Sequence, residues 1–231
     1  MDYNYTVEIF SLLWWKAISL TALLIILPIV TGVFLQVKGR NYLAYGIGSL
    51  LLATAILIHP YLLMHDSWNI STSLPLQMCT MSGILSGLVL FWRKQLVYEI
   101  LLYWGISGGL QSILTPEIIH GDGALLLLEF YIVHGGLILS ALYLTIVLGM
   151  RPRRNSWLIV FIITQIFIIL IFIFNCLIKA NYWFLNEKPY ADNPLVVGEW
   201  PWYILGMDLA ALVHFFLIYL TFKITRNIKM S

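Results

Sequence analysis

Apolar residues occur in this chain in blocks of about 20, separated by short polar connections. Seven such windows run from Leu12 to Leu35, Leu43 to Met64, Leu74 to Trp92, Leu96 to Leu114, Ala124 to Gly149, Trp157 to Ile178 and Trp202 to Phe222. A helix of about 20 residues crosses the ~30 Å hydrocarbon core and satisfies its backbone hydrogen bonds within one segment. A β-barrel needs short alternating segments instead. The pattern therefore predicts an all-α polytopic membrane protein, a bundle of seven transmembrane helices forming a single domain over residues 1–231. The first window follows Asp2 and Glu8 rather than a basic stretch and is too long for a signal-peptide core, so it counts as the first helix.

The polar residues between the windows are sorted by charge. Lys38 and Arg40 follow the first window, Arg93 and Lys94 the third, Arg151, Arg153 and Arg154 the fifth, and Lys223, Arg226 and Lys229 the seventh. Alternate connections thus collect ten basic residues on one side. The other side carries Asp2, Glu8, Asp66, Glu117, Asp122, Glu187, Asp192 and Glu199, with only Lys16, Lys179 and Lys188 as basic residues. Basic loops stay in the cytoplasm, which predicts an outside N-terminus, an inside C-terminus and residence in the cell membrane. Trp14, Trp15 and the run Trp200 to Tyr203 suit amphipathic rings at the outer interface, and the longest connection, Lys179 to Pro201, is external.

Composition narrows the class further. Of 231 residues, 61% are hydrophobic and 10% charged, with a mean hydropathy of +0.89, which excludes an ordinary soluble domain. A formal charge of +2 is too small for a nucleic-acid footprint, and two cysteines exclude a disulfide scaffold. Ser82, Gly83, Ser86 and Gly87 in the third window and Gly105, Gly108 and Gly109 in the fourth predict close helix packing.

Ionisable groups within a span cost about 2.5–3.5 kcal/mol at its centre, so each needs a reason. The expected topology puts Gln77, Cys79, Glu129 and Asp208 in the outer half, His134 and His214 near the middle, and His59, Gln111 and Cys176 near the outer end. His65, His120 and Asn181 fall in or beside outer loops, and Glu99 alone lies in the inner half. This distribution suits a site opening to the outer leaflet. His134 leads because imidazole matches proton transfer near neutral pH, although a lone intramembrane His also serves simply to bond a neighbouring helix. Cys79 reads three ways: a nucleophile, a small buried apolar residue, or half of a disulfide with Cys176. Counted from the expected helix starts at ~1.5 Å per residue, Cys79 lies ~8 Å deep and His134 ~15 Å, so a direct dyad has ~7 Å to close. Glu129 and Asp208 could orient His134 or join His residues on a metal. No His-Glu-x-x-His pair is present, however, and no metal is expected. The chain has no P-loop, no Gly-x-Ser-x-Gly elbow and no dinucleotide fingerprint, and no cofactor is expected.

Several stretches, taken together, resemble a known group. They are Ser73 to Cys79, Gly109 to Pro116, Phe130 to His134, Arg151 with Pro152, Asn181 to Pro189, and Trp200 to Leu205. In this order, over helices 2 to 7, they look like the YwaF-type bacterial membrane proteins, which are related to the vertebrate transmembrane protein 164 family. That family resembles the AIG/ADTRP hydrolases and is described as a membrane acyltransferase acting on ether phospholipids through a Cys and a His. The resemblance implies a role for His134, since Phe130, Tyr131 and His134 match an aromatic-aromatic-x-x-His pattern. The nucleophile matches less directly: the vertebrate Cys follows the Pro, whereas here Leu76 follows Pro75 and Cys79 comes three residues later, about 60° from the same helix face.

The resulting expectation is a lipid acyltransferase acting without CoA, or a lipid ester hydrolase, with an outward-opening site and with phospholipid or another acyl lipid as donor and acceptor. His134 and Cys79 would be the catalytic pair; Gln77, Gln111, Asn181 and Tyr182 would supply oxyanion or positioning donors; Glu129 and Asp208 would be supporting acids. The alternatives are a proton-coupled small-molecule transporter, for which Glu99 is the best support, and a non-catalytic membrane subunit.

Overall fold

The computed structural model describes residues 4–228, with side chains described through residue 224; Asp2, Lys229 and the side chain of Arg226 lie outside the described residues. Seven α-helices follow one another: α1 (Leu12–Phe34), α2 (Val37–Met64), α3 (Met78–Trp92), α4 (Gln95–Leu114), α5 (Ala124–Ile146), α6 (Ser156–Ile178) and α7 (Trp202–Ile228). Two short strands, β1 (Tyr5–Thr6) and β2 (Glu117–Ile118), pair antiparallel with Tyr5 opposite Ile118. Five helices, α1, α2, α5, α6 and α7, are long and apolar enough to cross a membrane, and α3 is a shorter apolar helix.

Three boundaries depart from the hydrophobic pattern by four residues or more: α7 runs on to Ile228 rather than Phe222, and the other two depart for a local reason. Helix α2 starts at Val37 rather than Leu43 and takes in Lys38, Arg40 and Asn41. Arg40 donates from Nε to the carbonyl of Leu35 at 2.9 Å, so the basic first turns of α2 satisfy the frayed end of α1. Helix α3 starts at Met78 rather than Leu74. Leu74 precedes Pro75, which biases it away from helical backbone, and the polar groups of this stretch find distant partners instead. Leu74 N–H donates to the Tyr182 hydroxyl at 2.9 Å, and Leu76 O accepts from Trp183 Nε1 at 2.7 Å. The remaining 15 residues of α3 span only ~22 Å.

Helix α5 is the axis of the bundle: 67% of its apolar window is buried, against 22% or less in the other four long helices. It packs on α1, α2, α3 and α4, while α6 and α7 pack on each other and on α4. Two glycines set its closest approaches. A Cβ on Gly109 of α4 would sit 3.0 Å from the His134 carbonyl, and one on Gly136 would sit 2.3 Å from Leu51 of α2. Both helix pairs thus approach backbone to neighbour without an intervening side chain.

The connections gather at two ends. At the basic end Glu99 of α4, with no solvent exposure, receives Arg153 through Nε and Nη2 at 2.7–3.1 Å, the Arg153 backbone N–H at 2.7 Å and Gln95 Nε2 at 2.9 Å. The bonded carboxylate holds the Arg153 guanidinium even more firmly protonated than usual. Arg93 reaches Asn41, and the Tyr143 hydroxyl donates to Arg40 O at 2.9 Å. At the loop-rich end, residues 65–77, 115–123 and 179–201 interlock. Asn175 in the last turn of α6 brackets Tyr182, accepting its N–H at 3.0 Å and donating to its carbonyl at 2.8 Å. Glu117 of β2 accepts from Asn4 Nδ2 at 2.7 Å and from Ala191 N–H at 3.0 Å.

Candidate functional site

Six of the eight side chains given roles from the sequence line one cavity at the loop-rich end, Gln77, Cys79, Gln111, Glu129, His134 and Asp208, and His59 and His120 line it with them. Its volume is about 400 Å³, within the ~300–1,000 Å³ of small-ligand sites, and its wall is mostly apolar. Helices α5 and α7 face each other across it, and the 65–77 and 179–201 loops close over it. Among the described residues, no Lys or Arg lines it.

Each lining group is set by its element. His134 is buried, and its ring lies 4.1 Å from that of Phe130. Its Nδ1 is 2.6 Å from the Phe130 carbonyl, one turn back. A carbonyl only accepts, so Nδ1 carries the proton and Nε2 of the neutral ring keeps a lone pair. His59, also in the lining, has the opposite arrangement: its Nδ1 accepts from Trp68 Nε1 at 3.2 Å, which puts the proton of the neutral ring on Nε2. Cys79, in the first turn of α3, lies with Sγ 3.7 Å from Ser112 Oγ of α4. Cys79 and His134 thus meet different immediate neighbours, but they share the cavity. Depth counted from the helix starts does not decide their separation: both border the same turn of α4, where a Cβ on Gly108 would lie 3.8 Å from Cys79 Sγ and one on Gly109 would lie 3.0 Å from the His134 carbonyl.

Gln77 holds the N-cap position of α3 but spends its Oε1 on the Trp183 N–H at 3.0 Å, which leaves the amide NH₂ as the group it can offer to the cavity it lines. Gln111 spends one N–H on Thr115 Oγ1 at 3.3 Å. Asp208 of α7 accepts from Gln165 Nε2 of α6 at 2.7 Å, which fixes one carboxylate oxygen. Glu129 lines the cavity five residues before His134 on α5, nearer the loop-rich end.

Three expectations come out differently. Tyr182 is fully buried but lies outside the cavity wall. Its hydroxyl donates to Ile70 O at 2.7 Å and accepts from Leu74 N–H, so it clasps the 65–77 loop rather than offering a donor to substrate. Burial pushes this hydroxyl above its ordinary pKa, consistent with a neutral structural bond. Asn181 is also absent from the main wall; its side chain organises its own loop through Asn186 N–H, Glu187 N–H and Glu187 O, and it lines a second cavity. Cys79 and Cys176 are both free, the latter exposed on α6, so the disulfide reading is overturned. Among the described residues no group of three or more His, Cys, Asp or Glu converges on a metal position.

The structure adds Thr72, Ser112 and Thr115 to the wall. Ser112 and Thr115 were open to detection: Gly108, Gln111, Ser112 and Thr115 fall at i, i+3, i+4 and i+7, one helical face. Thr72 lies in an irregular loop with no periodic signal.

Neither the curated proteins nor the solved structures contain a match to this chain. A family model does match, over residues 5–219, and that span takes in every residue of the cavity wall and all seven helices but for the last turns of α7. With so much of its length covered, this multi-pass membrane protein belongs to the TMEM164 family.

Proposed function

We propose that the protein is a lipid acyltransferase of the cell membrane, working without CoA, and that hydrolysis is its outcome when water replaces the acceptor. The observation that carries this reading is the shared cavity: a mostly apolar space of about 400 Å³ lined by the Cys79 thiol and by the His134 imidazole, whose Nε2 is the accepting nitrogen. We further propose seven membrane crossings with the basic end in the cytoplasm, so that the cavity belongs to the outer leaflet. Cytosolic acyl-CoA does not reach such a site, so the acyl donor is another lipid.

In the proposed reaction His134 Nε2 takes the proton of Cys79 Sγ, and the sulfur attacks the ester carbonyl of the donor lipid. The carbonyl oxygen gains negative charge and is met by the amide donors of Gln77 and Gln111. The ester C–O bond breaks as Nε2–H returns its proton to the departing alcohol, leaving a thioester on Cys79. The acceptor hydroxyl then gives its proton to Nε2 and attacks the thioester. The C–S bond breaks, and the proton returns to sulfur.

Proton-coupled transport has less to stand on. Glu99, its inner-half carboxylate, already accepts from Arg153 and Gln95 and lines neither cavity. The test is direct: protein in nanodiscs receives a phospholipid with an isotope-labelled acyl chain and an unlabelled lysophospholipid. Label is expected in the lysophospholipid or in free fatty acid, and lost in His134→Gln. Absence of both products from wild-type protein, across phospholipid donors, overturns the reading.

A further inference from the structure

Beside the apolar cavity lies a second one of about 400 Å³ with a far more polar wall, formed by Asn4, Ser71, Lys179, Asn181, Asn186 and Glu187 among others. The two share Thr72, Gln77, Ile119 and Phe184, so these residues mark a junction between an apolar and a polar compartment. Two features of this junction call for a ligand. Thr72 Oγ1 is buried without a hydrogen-bond partner among the described residues, a state that costs free energy unless something else bonds it. Gln77, its carbonyl oxygen engaged by Trp183, lines both cavities at the same junction.

Charge distinguishes the polar compartment as well. Of the three basic residues expected at this end, Lys188 pairs with Glu199 at 3.0 Å and Lys16 lies on α1, lining neither cavity. Among the described residues, Lys179 is the only Lys or Arg lining either cavity, and it forms no ion pair. It ends α6 in the left-handed region, with φ of 55°. That turn leads straight into the loop that Asn175 brackets through Tyr182, so the position of Lys179 in the chain is fixed from both sides.

We infer that the polar cavity is a headgroup subsite: Lys179 receives a phosphodiester, Thr72 and Gln77 bond the ester oxygens at the junction, and the acyl chain enters the apolar cavity. This assignment rests on the acyl-transfer reading for its purpose, but not for its measurement. A lipid with a phosphate then gains a charge-assisted bond that the same lipid without one does not.

Binding is measured apart from turnover, by native mass spectrometry of the detergent-solubilised full chain. The probes are dioleoylphosphatidylcholine and dioleoylglycerol, which share their acyl chains and differ in the phosphodiester headgroup. Wild type is expected to prefer the phospholipid by roughly tenfold, the scale of one hydrogen bond to a charged group. Lys179→Gln is expected to erase that preference while dioleoylglycerol binding stays, and Lys16→Gln to keep it. Thr72→Val is expected to weaken both lipids alike, since both carry the ester. An unchanged preference in Lys179→Gln overturns the subsite. So does displacement of the phospholipid by millimolar inorganic phosphate, which would make the cavity a site for a soluble anion. A preference lost in Lys179→Gln by a protein that transfers no acyl chain sustains the subsite and removes the acyltransferase.

Discussion

His134 illustrates how one backbone contact settles a side chain's chemistry. The Phe130 carbonyl, by accepting from Nδ1, leaves the lone pair of the neutral ring on Nε2, the nitrogen that the proposed reaction uses. His134→Gln retains hydrogen bonding but cannot cycle a proton, so turnover is expected to fall by roughly 10²–10⁴-fold with thermal stability in detergent nearly unchanged. A variant that keeps wild-type turnover would make His134 structural. Cys79 is tested by its covalent product. An acyl adduct released by hydroxylamine is expected on Cys79 in wild type, absent in Cys79→Ala and retained in Cys176→Ala; full activity in Cys79→Ala would replace the thioester by direct transfer. Both residues were legible in the sequence, since ionisable groups within apolar windows are few. The role of Tyr182 was not: a tyrosine in a polar loop looks like a donor for substrate, and only the fold shows both sides of its hydroxyl engaged by residues 70 and 74.

At the level of elements, the hydrophobic windows match most of the helices closely, because a helix in lipid has one way to satisfy its backbone. The informative exception is α3, whose apolar run from Leu74 could not reveal that Trp183 and Tyr182 supply the partners of its lead-in. That clasp is measurable. Tyr182→Phe leaves Ile70 O and Leu74 N–H without their partner, and the expected loss is about 1–3 kcal/mol per unsatisfied buried group. Unfolding in mild detergent would read it, and a variant as stable as wild type would show that the loops hold without the clasp. The close approach of α4 to α5 is as specific. In Gly109→Leu the new Cβ would lie 3.0 Å from the His134 carbonyl, so the helices must move apart, and both stability and turnover are expected to fall.

For the molecule as a whole, charge distribution was the most readable property, because basic residues sort by side irrespective of packing. The two ends differ in the structure as well: the basic end is tied by an ion pair between buried Glu99 and half-exposed Arg153, and the other by interlocked loops. Cysteines introduced between Lys179 and Pro201 are expected to react with an impermeant thiol reagent in intact cells, and one introduced beside Arg153 is not. The reverse pattern would place the cavity in the inner leaflet. Arg153→Ala strands the buried Glu99 carboxylate, and the expected loss lies below the ~3–5 kcal/mol of a fully buried pair because Arg153 is 52% exposed. If acyl transfer survives in whatever fraction stays folded, the ion pair belongs to stability alone.

The clasp between residues 70–77 and 182–183 also has a consequence for how the protein is made. Leu74 waits for a hydroxyl 108 positions further along the chain. During synthesis, the short α3 therefore leaves the ribosome well before the groups that complete its N-terminal lead-in exist. A nascent chain halted after α5 carries the histidine, the cysteine and most of the apolar wall, yet its third segment is too short for the bilayer and its loop has nothing to close against. Assembly of the cavity is thus tied to completion of the chain, and a chain terminated early is expected to lack it.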